Sequence, residues 1–210
     1  MPLHPSDLNT KGYSLLECVK NEDIIPFVKL YLKKKTFFSR FHTAANMLIV
    51  FALSVLLIYG IRFSEVSLSS GILRIVYGFG LAFLLIPLHE YIHVLAFRKK
   101  GAVHTSYEVN LRKFYFLAVA DQFVADKRAF RYAALAPFVV ISILLVVAAL
   151  LVSMPWSLTL TGCLLLHTAF CSGDFGLLSY FDFHKDKEVV TYDNKAEKCI
   201  YFYARRKDRY

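Results

Sequence analysis

Negative charge is scarce in this sequence, and its cysteines lack pairing spacing. Sixteen Asp and Glu stand against 25 Lys and Arg, a formal net charge of +9. Such an excess raises nucleic acid as a partner. The cations, however, fall in blocks beside long apolar runs, where a membrane protein keeps its cytoplasmic charge, so no nucleic-acid partner is expected. Four cysteines, Cys18, Cys163, Cys171 and Cys199, show no C-x-x-C spacing. Two lie inside an apolar run and two in regions assigned to the cytoplasm, which argues against a disulfide framework and makes them small apolar residues. Residues 1–42 hold no apolar stretch of signal-peptide length, so the N-terminus is expected to stay cytoplasmic. Internal repeats and low-complexity segments are also missing.

What is abundant is apolar surface. With 57% hydrophobic residues and a mean hydropathy of +0.47, the chain exceeds an ordinary soluble domain and has length for several membrane spans. Four are expected: 43–61, 72–97, 133–152 and 157–181, each near the length that crosses the hydrocarbon core. Lys and Arg number seven before the first span, two around the first loop, eight from Arg98 to Arg131, none between spans three and four, and eight after Phe181. By the positive-inside rule both termini and the central connection lie in the cytoplasm. The expected fold is thus an all-α transmembrane bundle of about four membrane helices with short cytoplasmic β-hairpins. It divides into a cytoplasmic or interfacial segment at 1–42, a transmembrane domain at 43–181, and a cytoplasmic hairpin with a basic tail at 182–210.

Outside the spans the pattern is mixed. Ile24, Ile25, Phe27, Val28, Leu30, Tyr31 and Leu32 among lysines suggest a short amphipathic helix at the interface, or a solvated lead-in. Alternation over 103–109 and an aromatic, β-branched run over 114–120 suggest a hairpin at about 102–120, with His104, Ser106 and Glu108 on a solvent side. A second hairpin is expected over 188–193 and 198–204. Asp126 is placed to cap the helix that leads into the third span.

The second span carries His89-Glu90-Tyr91-Ile92-His93, an H-E-x-x-H sequence. Positions four apart share a helix face, so His89 and His93 can offer two imidazoles to one Zn2+ with Glu90 beside them as base. The centre of the two histidines lies about seven residues, roughly 10 Å, from the cytoplasmic end of its span. Asp174 lies about seven residues from the same end of the fourth span, at matching depth. An ionised Asp inside a membrane costs roughly 2.5–3.5 kcal/mol, which a metal would offset. His89, His93 and Asp174 would leave a fourth position for water, the open coordination of a catalytic zinc. His167, seven residues before Asp174, is a second catalytic candidate beside Glu90, either as transition-state hydrogen-bond donor or as alternative ligand; it also suits a residue joining two helices. Pro87 is placed to kink the second span and admit water. Gly173 and Gly176 permit close helix approach around Asp174.

The H-E-x-x-H sequence followed by a basic stop and Gly101, Ala134-Leu135-Ala136-Pro137-Phe138 at the third span, and Cys171-Ser172-Gly173-Asp174 in the fourth resemble the bacterial putative zincin peptidase family of small membrane proteins, similar to the site-2 protease clan. The likeness covers roughly 43–204. It implies a zinc-dependent intramembrane metalloprotease of the bacterial cell membrane, with His89, His93 and Asp174 as ligands, Glu90 as acid/base, and a membrane-embedded or membrane-proximal peptide as substrate. The pattern departs from better-known site-2 proteases, whose third ligand is an Asp followed directly by Gly in an Asn-Pro-containing helix; here Phe175 follows. Two other readings use the same residues: a non-catalytic metal- or haem-binding membrane protein using His89, His93 and His167, and an inactive relative serving as scaffold.

Overall fold

A computed structural model describes residues 3–110, 112 and 115–206. The turn of the first expected hairpin, at 111, 113 and 114, and the basic end at 207–210 lie outside the described residues. Among the described residues seven α-helices run in the order α1 (Ile24–Leu32), α2 (Phe37–Phe63), α3 (Leu68–Leu84), α4 (Ile86–Lys99), α5 (Lys127–Leu151), α6 (Met154–Phe170) and α7 (Ser172–Phe183). The strands are β1 (Ser14–Lys20), β2 (Thr105–Asn110), β3 (Tyr115–Ala120), β4 (Ala125–Asp126), β5 (Lys187–Asn194) and β6 (Cys199–Arg206). The protein is mostly helical, with two antiparallel sheets.

The chain forms two compact units, one of residues 40–89 and 137–172, the other of 1–39, 90–136 and 173–210. Among the described residues two helices, α2 and α5, are long and apolar enough to cross a membrane, and α3 with α4 makes a third candidate if the bent pair is one span. The expected fourth span is instead divided at Cys171 into α6, of 17 residues, and α7, of 12. The difference has a physical cause. Along α2 and α5, large apolar side chains such as Phe51, Ile58, Leu144 and Leu150 are exposed, as lipid-facing surfaces require. In α6 and α7 about half of the residues are buried in protein, and an apolar run alone does not say which of the two solvents it meets.

In the first unit α3 packs closely on α6. A Cβ on Gly78 would sit 2.1 Å from the Thr159 carbonyl oxygen and 2.7 Å from the Cys163 amide nitrogen, so only glycine allows these backbones to meet. The C-terminal end of α6 is tied to α2, where Nε2 of His42 lies 2.9 Å from the Thr168 carbonyl oxygen. Its start is tied to α5 by Ser157, whose hydroxyl donates to the Ala149 carbonyl at 2.7 Å.

The second unit is built on a four-stranded sheet in the order β1-β6-β5-β4. β5 and β6 form the expected C-terminal hairpin, and β1, for which no strand was expected within the 1–42 segment, joins its open edge. Fully buried Tyr180 and Phe181 of α7 pack on Phe202 of β6, with ring centroids 4.4 and 6.2 Å apart, and Phe181 stacks on Phe130 at 4.8 Å. Aromatic burial on this scale dominates the stability of a small unit. α1 lays Ile24, Val28 and Tyr31, one helical stripe, into this core, so its apolar face meets protein. The carboxylate of Asp126 accepts the Ala129 amide at 2.7 Å, capping α5 as expected.

β2 and β3 pair antiparallel from Thr105↔Ala120 to Asn110↔Tyr115. The alternation is present but its sense differs from expectation: Val103, Tyr107 and Val109 are exposed, whereas Glu108 accepts hydrogen bonds from Asn21 at 2.6 Å and from the Tyr115 hydroxyl at 2.9 Å. Two partners hold Glu108 inward, and the apolar side turns out. His104 is exposed, as expected. This ribbon meets β5 at Asp193, whose carboxylate accepts the Ala120 amide at 2.8 Å. Burial, with Asp121 and Glu108 nearby, pushes the Asp193 carboxyl up to about 7, against the single N–H that favours its charge.

Two outcomes follow from this packing. Gly78→Ala should lower stability by about 1–3 kcal/mol, because the methyl group meets backbone, whereas Gly80→Ala, with open space around it, should be neutral or stabilising; thermal midpoints in detergent compare them. For Asp193, the folded state binds the proton more tightly than the unfolded chain. Its contribution is therefore full below about pH 4 and is lost as pH rises to about 7. The midpoint of Asp193→Asn should fall less over that window than the wild type's.

Candidate metal site

The helical path breaks at Leu85, between α3 and α4, with a 42° bend. Pro87 is the second residue of α4, and its ring excludes the carbonyl that a continuous helix would present four residues earlier. The kink therefore falls just before the proline and re-aims the residues that follow. Helical bonding resumes at once, the His89 amide donating to the Leu85 carbonyl at 2.9 Å. On α4, His89 and His93 stand one turn apart, and both are buried, whereas Leu88, Tyr91 and Leu95 on the other faces are exposed. Glu90, adjacent to His89, is partly buried.

The surroundings of His93 belong to the sheet-containing unit. Its Nδ1 lies 2.9 Å from the Ala133 carbonyl oxygen, near the start of α5. A carbonyl only accepts, so Nδ1 donates to it, and Nε2 is the ring nitrogen left to face another partner. That Nε2 lies 3.1 Å from Oδ1 of Asp174. Asp174 is in the first turn of α7, where the helix N-terminus favours a carboxylate. α7 comes close enough to α1 that a Cβ on Gly176 would lie 2.5 Å from Cβ of Val28, while one on Gly173 would meet nothing within 4 Å. Of the two glycines singled out in sequence, Gly176 is therefore the one that seats this helix.

The surroundings of His89 belong to the other unit. Its Nδ1 lies 3.3 Å from Nε2 of His167 and 4.0 Å from Sγ of Cys171, and Sγ lies 3.9 Å from the same His167 nitrogen. His89, His167 and Cys171 bring one ligand atom each within 4.8 Å of one another, and all three are buried. The sequence expectation for Cys171 is a small apolar residue; its spacing of four from His167 in one apolar run is the signal that places it beside that ring.

These donors fit a metal of zinc's chemistry. At bond lengths of about 2.0–2.2 Å, a tetrahedral ion holds a nitrogen and an oxygen ligand roughly 3.4 Å apart, so the pair at His93 and Asp174 needs to open by only a few tenths of an ångström. The family described as putative zincin peptidase matches residues 82–188. The chain belongs to this family. The matched range holds His89, Glu90, His93, His167 and Asp174, and the family points to a metallopeptidase with zinc as its metal. Neither a curated protein nor a solved structure matches the chain.

Proposed function

We propose that this zincin-family chain is a zinc-dependent peptidase, similar to the site-2 protease clan, that cleaves membrane-embedded or membrane-proximal peptides. His89, His93 and Asp174 are its ligands and Glu90 its acid/base. The observation that carries this reading is the setting of His93: one ring nitrogen is held by a backbone carbonyl and the other faces a carboxylate. A ligating histidine needs this second partner to fix its tautomer, and a ligand set needs this juxtaposition. The helix that carries His93 repeats an imidazole one turn earlier, at His89, and α2 and α5 supply apolar surface for a bilayer.

When bound, zinc supplies a Lewis acid that lowers the pKa of water and polarises the scissile carbonyl. The protein does the rest. Glu90 takes a proton as water adds to the carbonyl carbon, then returns it to the leaving amide nitrogen as the C–N bond breaks. His167, whose Nε2 lies 3.3 Å from Nδ1 of His89, accepts a hydrogen bond from that Nδ1–H and so keeps Nε2 of His89 as the ligating atom. In this reading His167 positions His89, and transition-state hydrogen bonding is not its task. β2 has no strand neighbour on its other side among the described residues, so its edge suits a substrate segment added in extended form. Such a segment exposes the peptide bonds that a helix shields. Both termini lie in the cytoplasm of a bacterial cell, as the charge distribution implies.

Glu90→Gln tests the assignment. It should keep zinc stoichiometry and lose cleavage of a membrane-anchored peptide by about 100-fold or more, the scale of general acid–base catalysis. Undiminished cleavage by this variant would refute the mechanism.

A further inference from the structure

We propose that His89, His167 and Cys171 form an alternative site for a thiophilic divalent cation, which competes with the H-E-x-x-H set for His89. The inference goes beyond the peptidase reading, and only its competitive part rests on that reading. α4 contributes His89 at its first turn, α6 contributes His167 at its last, and Cys171 follows in the junction to α7. The three residues are 8%, 1% and 0% exposed. Two imidazoles and a thiol thus converge in a place closed to solvent.

The spacing is that of ligands. A tetrahedral zinc with Zn–N of about 2.0–2.1 Å and Zn–S of about 2.3 Å holds two nitrogens roughly 3.3 Å apart and a nitrogen and a sulfur roughly 3.6 Å apart. The observed nitrogen pair is at 3.3 Å, and the two nitrogen–sulfur distances are 4.0 and 3.9 Å. One edge already matches, and the other two need a contraction of a few tenths of an ångström. A thiolate selects zinc, cobalt or cadmium over magnesium or calcium.

Competition follows from counting lone pairs. A neutral imidazole offers one. When His89 binds a cation through Nδ1, its proton sits on Nε2, and the ring is lost to the set with His93 and Asp174. Binding also releases the Cys171 thiol proton to solvent, since the ligand is the thiolate. A cation held there is parked away from Glu90's chemistry, so the pair of sites provides a resting and a working position for one metal.

The test is a Co2+ titration of the full chain in detergent under reducing conditions, read by absorption, where a cobalt–thiolate bond gives a near-ultraviolet charge-transfer band. Asp174→Ala should develop this band on the first equivalent, and His93→Ala should do the same if the first variant fails to fold. The band should vanish completely when Cys171→Ser is added to either. Binding of Co2+ by both single variants without the band, or a band that survives Cys171→Ser, would overturn the proposal. A full band in the wild type at one equivalent, with metal lost in Cys171→Ser, would support this site and remove the assignment to His89, His93 and Asp174. Wild-type binding that needs those three residues, with no band in any variant, would do the reverse.

Discussion

The ring of His93, held between the Ala133 carbonyl and the Asp174 carboxylate, is the constraint on which the proposed chemistry depends. An imidazole is ambiguous in its tautomer, and a carboxylate away from water is costly. Each resolves the other's difficulty here. The carbonyl fixes the proton on Nδ1, and the ring's remaining nitrogen faces the acid. Three elements distant in sequence, α4, the start of α5 and α7, must be held in register for that contact to exist.

The sheet-containing unit supplies the register. α7 is seated by aromatic rings against β6, and the absence of a side chain at Gly176 lets it reach α1. β1 closes the sheet edge next to β6 and leads into α1, so even the N-terminal stretch bears on where Asp174 stands. Zinc would extend the same logic, because its ligands need fixed directions as well as proximity. The apolar unit holds His167 and Cys171 beside His89 through the α3–α6 contact, where backbone meets backbone at Gly78.

Much of this was legible in the sequence because it rests on local rules. H-E-x-x-H declares a shared helix face, Asp126 declares a cap, and the alternation of 188–204 declares a hairpin. Matching depth singles out Asp174 in sequence only if the fourth span is continuous, yet Asp174 stands in the first turn of a separate helix. What was hidden depends on tertiary context. Hydropathy could not separate α6 and α7, buried in protein, from α2 and α5, exposed along their lengths. β1 lacks strong alternation and forms by pairing with β6, nearly the whole chain away. The inward turn of Glu108 depends on Asn21 and Tyr115, which no pattern within β2 reveals. Ala133 acts through its carbonyl, and a backbone role leaves no residue-type signature.

The central claim is that His89, His93 and Asp174 hold the metal beside Glu90. X-ray absorption at the zinc edge, on wild-type protein loaded with one equivalent, tests it most directly. The account predicts a shell of nitrogen and oxygen at about 2.0–2.2 Å with imidazole scattering from two rings. A sulfur ligand at about 2.3 Å, or a shell unchanged by Asp174→Ala, would contradict it.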